Sequence, residues 1–147
     1  MPINQKNLDA YLAFAERFIK KSEKIILVKH KQSISVQYKN DRSPVTKIDK
    51  LIESNFRKEI KEKYPTHGIY GEEFKNLKTN NEFIWVIDPI DGTKNFIHGN
   101  HAFGTLITLL YHGAPIFGII NSPLMKKTWK GIKGKGAYLN NKKIKKN

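Results

Sequence analysis

Cysteine is absent from this 147-residue chain, which excludes disulfides and thiolate metal sites and leaves the redox compartment open. Arginine is scarce: 24 of the 27 basic residues are Lys, and only Arg17, Arg42 and Arg57 are Arg. Proteins that read base edges lean on Arg, and those that grip single strands pair basic patches with exposed aromatics. Lysine scattered along the whole chain is not that pattern. A net charge of +14 still keeps a basic nucleic-acid-binding module without catalysis as the alternative of another class. Acids are missing from the last 56 residues: none of the 13 lies beyond Asp91, so the first 91 residues carry only +4 and the rest +10. A small anionic substrate suits this charge as well as a polyanion does. Also lacking is any apolar run long enough to cross a bilayer or serve as a signal core, the N-terminal MPINQKNLDAYLAFAERF being polar and amphipathic. The expectation is a cytoplasmic protein whose length suits one ordinary domain or part of a larger one.

What is present falls into two regimes of periodicity. Leu8, Leu12, Ala15, Phe18 and Ile19 share one face at helical spacing, which predicts an amphipathic helix ending before Val28. Short alternation at Ile34, Val36 and Tyr38 predicts an extended segment entering a loop closed by Pro44. A second helix is predicted from the shared face of Ile48, Leu51, Ile52, Phe56, Ile60 and Tyr64, with Thr46 as N-cap, Asp49 three residues on and Pro65 as the stop. From Gly68 the period shortens to that of strands. GIYGEEF (68–74) and EFIWVID (82–88) come first, then FGTLITLLY (103–111) and APIFGIIN (114–121), joined at His112-Gly113. KKTWKGI, GAYLN and KKI follow, separated by the turns KGKG and NN. Short connections predict an antiparallel meander. The expected fold class is α+β, with two N-terminal helices packed on one side of a mostly antiparallel sheet.

Two aspartates three residues apart, in WVIDPIDGTKNF (85–96), close the second of these strands. Neighbouring carboxylates repel and resist desolvation, so either the pair faces water in a turn or something positive sits between them. Glu72 and Glu73 end the preceding strand, and Asp49 opens the second helix. Pro89 is expected to force a turn and leave nearby carbonyls free for a ligand. Gly92-Thr93 offers amides that can face an anion, above all if a short helix starts there. Carboxylates plus a carbonyl are hard donors suited to Mg²⁺ or Mn²⁺. Two such ions beside an anion-binding turn would form a phosphoryl-transfer site. Blander readings stand beside these. Asp49 alone also suits a first-turn acid favoured by the helix dipole. Glu73 and Lys39 read as solvated neighbours, Trp85 and Trp129 as packing residues, and His98 and His101 as loop histidines, because hard sites seldom use imidazole.

DPIDGTKNF (88–96) resembles the signature of the inositol monophosphatase family of Mg²⁺-dependent phosphatases. GEE (71–73) and SPVTKID (43–49) are similar to its second and third motifs, in matching order and spacing. KNDRSPVT (39–46), FGTLITLL (103–110) and WKG (129–131) resemble the histidinol-phosphatase branch, whereas Asn95 is the residue the inositol branch tends to carry. The resemblance implies the first half of an αβαβα layered fold, with Mg²⁺ as cofactor. It implies that Glu72, Asp88 and the Ile90 carbonyl hold one ion, and that Asp88 bridges to a second ion also held by Asp91. Thr93 with Asp49 would orient and deprotonate the attacking water, Glu72 would share in catalysis, and the Gly92 and Thr93 amides would receive the phosphate. The implied substrate is a small phosphorylated metabolite, histidinol phosphate first, with inositol phosphate or a nucleotide 3′-phosphate as alternatives. No nucleic-acid or membrane partner is expected, and a homodimer is compatible with the full-length protein. Family members carry a second half with a late Asp beside a Trp, and no acid follows Asp91 here. Residues 1–147 are therefore expected to be an N-terminal metal-binding part, inactive and prone to associate when alone.

Overall fold

The computed structural model describes residues 3–30, 36–38 and 44–145. Ile34 and Lys39 lie outside the described residues, as does Ser43 of the third motif. Helix α1 (Gln5–His30) buries Phe14, Ala15, Phe18, Ile19, Ser22 and Ile26 along one stripe, with Leu8 and Leu12 packed at its margin. It runs past the expected end before Val28. Nothing in KIILVKH breaks a helix, Ile26 still fits the buried stripe, and Lys29 and His30 suit the negative end of the helix dipole.

Strands β1 (Val36–Tyr38) and β2 (Pro44–Thr46) form an antiparallel ribbon that leads into α2 (Lys47–Lys63). Thr46 and Asp49 make the expected capping box: the Thr46 N–H donates to Asp49 Oδ2 at 2.9 Å, and the Asp49 N–H donates to Thr46 Oγ1 at 3.3 Å. Ile48, Ile52, Phe56 and Ile60 face inward as expected, but Leu51 is 43% exposed and Glu53 is fully buried. Positions 49, 53, 56 and 60 form one stripe by the 3.6-residue period, which puts Leu51 on its flank. An ionised side chain survives there because backbone donors converge on it, as described below.

The main sheet runs in chain order: β3 (Gly68–Gly71), β4 (Phe83–Asp91), β5 (Gly104–Tyr111), β6 (Ala114–Ser122), β7 (Lys127–Ile132), β8 (Gly136–Leu139) and β9 (Lys142–Lys143). Two tight turns, His112-Gly113 and Asn140-Asn141, have positive φ at both residues, the geometry that matches the twist of a hairpin. Every neighbouring pair is antiparallel except β3 and β4, which run parallel with Gly68 opposite Ile84 and Gly71 opposite Ile87. The expected meander therefore begins only at β4. Residues 72–82 make the crossover without a helix, folding back so that Ile69 and Leu77 exchange two backbone hydrogen bonds of 2.9 Å. The short helix α3 (Thr93–Ile97) follows β4.

Both long helices cover one face of the sheet. Trp85 is fully buried there, with the rings of Phe14, Phe56 and Phe117 at 5.4, 5.9 and 6.0 Å. Its indole N–H donates to Nδ1 of buried His67 at 3.0 Å. On the other face Leu106, Ile120, Trp129 and Ala137 line an open apolar groove.

Burial pushes the His67 imidazole down to about 4, with nearby Glu82 opposing the shift. Its unfolded value is about 6.5, so between these two values the unfolded chain binds the extra proton. Stability from this group is present above about pH 6.5 and is lost as pH falls through about 4. The melting temperature should drop on acidification from pH 7 to 4, and less steeply in His67→Gln. Equal slopes for the two proteins, measured by circular dichroism, would place the acid sensitivity elsewhere.

Candidate active site

The strand end DPID is held by an interruption of the ladder. Asp88 pairs with Leu106 and Asp91 with Gly104, so three residue steps on β4 match two on β5. On a regular strand, residues an odd number apart point to opposite faces. The extra residue cancels this alternation, and both aspartates take the face of Leu106, away from α1 and α2. Pro89 does not turn the chain, contrary to expectation. It sits inside β4 at the bulge, where a residue without an N–H costs no ladder bond. The turn comes at Gly92, whose φ of +85° suits glycine. A Cβ there would also stand 2.8 Å from the Ala102 carbonyl oxygen.

Hydroxyls tie the carbonyls of this segment. Thr105 Oγ1 donates to the Pro89 oxygen at 2.7 Å, and Thr93 Oγ1 donates to the Ile90 oxygen at 3.0 Å. Ile90 is buried, yet its carbonyl keeps a second lone pair beyond the Thr93 bond. Thr93 is the first residue of α3, whose start at Gly92 carries no side-chain cap. Asn95 Nδ2 donates to the Ala102 oxygen at 2.8 Å, pinning the returning loop to α3. His98 and His101 stay exposed on that loop.

Glu72 reaches this end of the sheet through the parallel pairing. Gly71 lies opposite Ile87, so Glu72 and Asp88 are the next residues on adjacent strands leaving in the same direction. Gly71 faces α2, because a Cβ on it would come within 2.4 Å of Glu53 Oε2. Glu72 is the first residue beyond the strand, at the same sheet end as Asp88. The expected strand through Phe74 stops at Gly71 because Glu53 takes the next three amides: the N–H groups of Glu72 and Glu73 donate to Oε1 at 2.8 and 2.9 Å, and that of Phe74 to Oε2 at 3.0 Å. Arg57 Nε also donates to Oε2, at 2.9 Å. Sequence reasoning missed Glu53. Its one signal was a Glu-Arg pair at i, i+4 on a helix that starts inside a motif.

Asp49 is buried, and Oδ2 accepts from both the amide and the hydroxyl of Thr46. Its end of α2 reaches α3 through β2, which packs against α3. Asp88, Ile90, Asp91, Gly92 and Thr93 are thus close along the chain, Glu72 leaves the neighbouring strand at the same end, and Asp49 opens the helix that follows β2, the strand packed against α3. Among the described residues, no three carboxylates or imidazoles already form a chelating cluster. All the donors at this strand end are oxygens, a set that suits a hard divalent cation over a soft one.

Gly92→Ala should destabilise the fold by about 1–2 kcal/mol, from the left-handed backbone and the contact with Ala102. Urea denaturation measures this, and an unchanged midpoint would mean that the turn relaxes freely.

Known proteins supply the context. Residues 7–147 match the model of the inositol monophosphatase family. The chain is 38% identical over 144 residues to a bifunctional phosphatase, the chloroplastic IMPL2 of Arabidopsis thaliana, covering 97% of this chain and 42% of that protein. It is 40% identical over 110 residues to the histidinol-phosphatase of Chlorobaculum parvum, covering 75% of this chain and 42% of that protein. A crystal structure of an IMPase/NADP phosphatase complexed with Mg²⁺ and phosphate superposes with a TM-score of 0.85 at 26% identity, over 95% of this chain and 54% of that chain. The chain thus spans about half the length of the relatives it matches. With the family pattern matched over nearly all of its residues and the fold shared, this chain belongs to the inositol monophosphatase family.

Proposed function

We propose that this chain carries the metal-binding part of a Mg²⁺-dependent phosphomonoesterase acting on a small phosphorylated metabolite. The observation that carries the proposal is the ladder slip in β4, which puts Asp88 and Asp91 on one face beside the parallel-paired exit of Glu72. Such crowding of like charge opposes folding unless a cation compensates it. Glu72, Asp88 and the Ile90 carbonyl would hold one ion, and Asp88 and Asp91 a second. When bound, such ions supply a hydroxide at neutral pH and stabilise the leaving oxygen, which phosphate-ester hydrolysis needs because it is among the slowest uncatalysed reactions. The chain's own residues do the rest. Thr93, already hydrogen-bonded to the Ile90 carbonyl, would orient the attacking water and, with Asp49, accept its proton, while Glu72 would help position that water from the neighbouring strand. The amides of Gly92 and Thr93 would receive the phosphate at the uncapped start of α3.

For the substrate we infer histidinol phosphate, on the stretches KNDRSPVT, FGTLITLL and WKG. Inositol phosphate and nucleotide phosphates are the second reading, supported by Asn95 and by likeness to an IMPase/NADP phosphatase. No described helix is long and apolar enough to cross a membrane. A cytoplasmic location agrees with this and belongs to the same proposal.

The test is phosphate release from histidinol phosphate, inositol 1-phosphate and NADP by the protein as expressed from its gene, with Mg²⁺ and with chelator. Mg²⁺-dependent turnover is expected, fastest on histidinol phosphate, and Asp88→Asn should abolish it with the melting temperature unchanged or raised. A basic nucleic-acid-binding module would instead show no turnover and chelator-resistant, steeply salt-dependent binding of nucleic acid. Thr93→Ala should leave Mg²⁺ affinity nearly intact and lower kcat by about two to four orders of magnitude. A raised KM with unchanged kcat would make Thr93 a substrate contact and leave the water to another group.

A further inference from the structure

Glu53 is the most deeply buried charge among the described residues, and the proposed chemistry does not use it. Four donors converge on its carboxylate, two on each oxygen: the amides of Glu72 and Glu73 on Oε1, and the amide of Phe74 with Arg57 Nε on Oε2. Arg57 completes the clamp from the other side. Its Nη1 and Nη2 donate to the carbonyls of Lys75 and Phe74 at 2.8 and 3.0 Å. One ion pair on α2 therefore satisfies three N–H groups and two carbonyls of the turn that follows β3. Gly71 makes the clamp sterically possible, since a Cβ there would lie 2.4–2.7 Å from the three carboxyl atoms of Glu53.

Two donors on each oxygen call for a carboxylate, where one hydroxyl or amide oxygen caps most turns. The amides it holds begin with that of Glu72, the residue that leaves β3 at the same sheet end as Asp88. We infer that Glu53 is a positioning residue for the metal site: by fixing the amides of Glu72 and Glu73 it sets the direction of the Glu72 carboxylate, and so the affinity for Mg²⁺. The inference rests on the proposed phosphatase reading. The amide of Gln cannot replace the carboxylate. Either way it is turned, its NH₂ confronts two donors that an oxygen accepted before. Gly71→Ala disturbs the same contact from the strand side, with no change of charge and no left-handed backbone to strain.

Affinity is read by calorimetric titration of the purified protein with Mg²⁺, beside kcat as a function of Mg²⁺ concentration. Glu53→Gln and Gly71→Ala should each weaken Mg²⁺ binding about 10- to 100-fold, the usual effect of removing a group that orients a ligand. Most of kcat should return at saturating Mg²⁺, which a general loss of fold would not allow. Glu59→Gln removes a charge from the exposed side of the same helix, where it pairs with Lys21 at 3.3 Å, and should leave Mg²⁺ binding unchanged. If Glu53→Gln does not fold, Gly71→Ala and Arg57→Lys decide the matter by the same titration. Mg²⁺ affinity within twofold of the unmodified protein in the folded variants would overturn the inference. An unmodified protein that neither binds Mg²⁺ nor releases phosphate would instead overturn the phosphatase reading.

Discussion

Parallel pairing of β3 with β4 is the constraint from which the site follows, because it makes two consecutive strands leave the sheet at the same end. An antiparallel pair would send Glu72 and Asp88 to opposite ends, some four residues of strand apart. Parallel neighbours ordinarily need a long crossover that packs back on the sheet. Here residues 72–82 return without a helix, and the backbone polar groups of the crossover are satisfied in another way. Glu53 and Arg57 take the first turn, and the Ile69–Leu77 bridge takes the return. The cost of burying an ionised carboxylate on α2 is offset by four donors, each stronger than a neutral hydrogen bond.

Beneath this lies an ordinary aromatic core. Trp85 lies opposite buried Ile69 on β3, and the two helices close over it with Phe14, Phe18 and Phe56. That core makes α2 rigid with respect to β4. The rigidity matters for chemistry because α2 supplies both Asp49 at its start and Glu53 one turn later, while β4 supplies the aspartates. Helix and strand are thus the two jaws that set the site's dimensions. The bonds from Thr105 and Thr93 to successive carbonyls fix the last residues of the strand between them.

Much of this was legible in the sequence. Apolar spacing gave α1 and α2, Thr46 and Asp49 announced the capping box, and His112-Gly113 and the Asn pair marked their hairpins. The motif residues stand on the strand end and short helix start that their sequence suggested. What was not legible depends on contacts distant in the chain. Strand direction is invisible to periodicity, so nothing in residues 68–91 distinguishes parallel from antiparallel pairing. A Glu at position 53 resembles any exposed helix glutamate until three amides some 20 residues away are placed around it. Pro89 looked like a turn because its missing donor rules out a central ladder position, and only the partner strand shows the slip that accommodates it. Helix α1 overran its expected end because a run of Ile, Ile, Leu and Val suits either state until its neighbours are known.

The ladder slip at Pro89 also bears on how such a segment can change over time. Substitution and a change of register act on it through different physics. A replaced side chain alters one donor, but a register that ironed out the slip, pairing all three steps from Asp88 to Asp91, would restore the regular two-residue alternation. One of the two carboxylates would then be turned onto the helix-covered face, among side chains such as Ile107 and Leu109 that are fully buried. Register in this stretch is therefore under a harder restriction than composition. The slip is thus what lets two carboxylates three residues apart share one face of a strand.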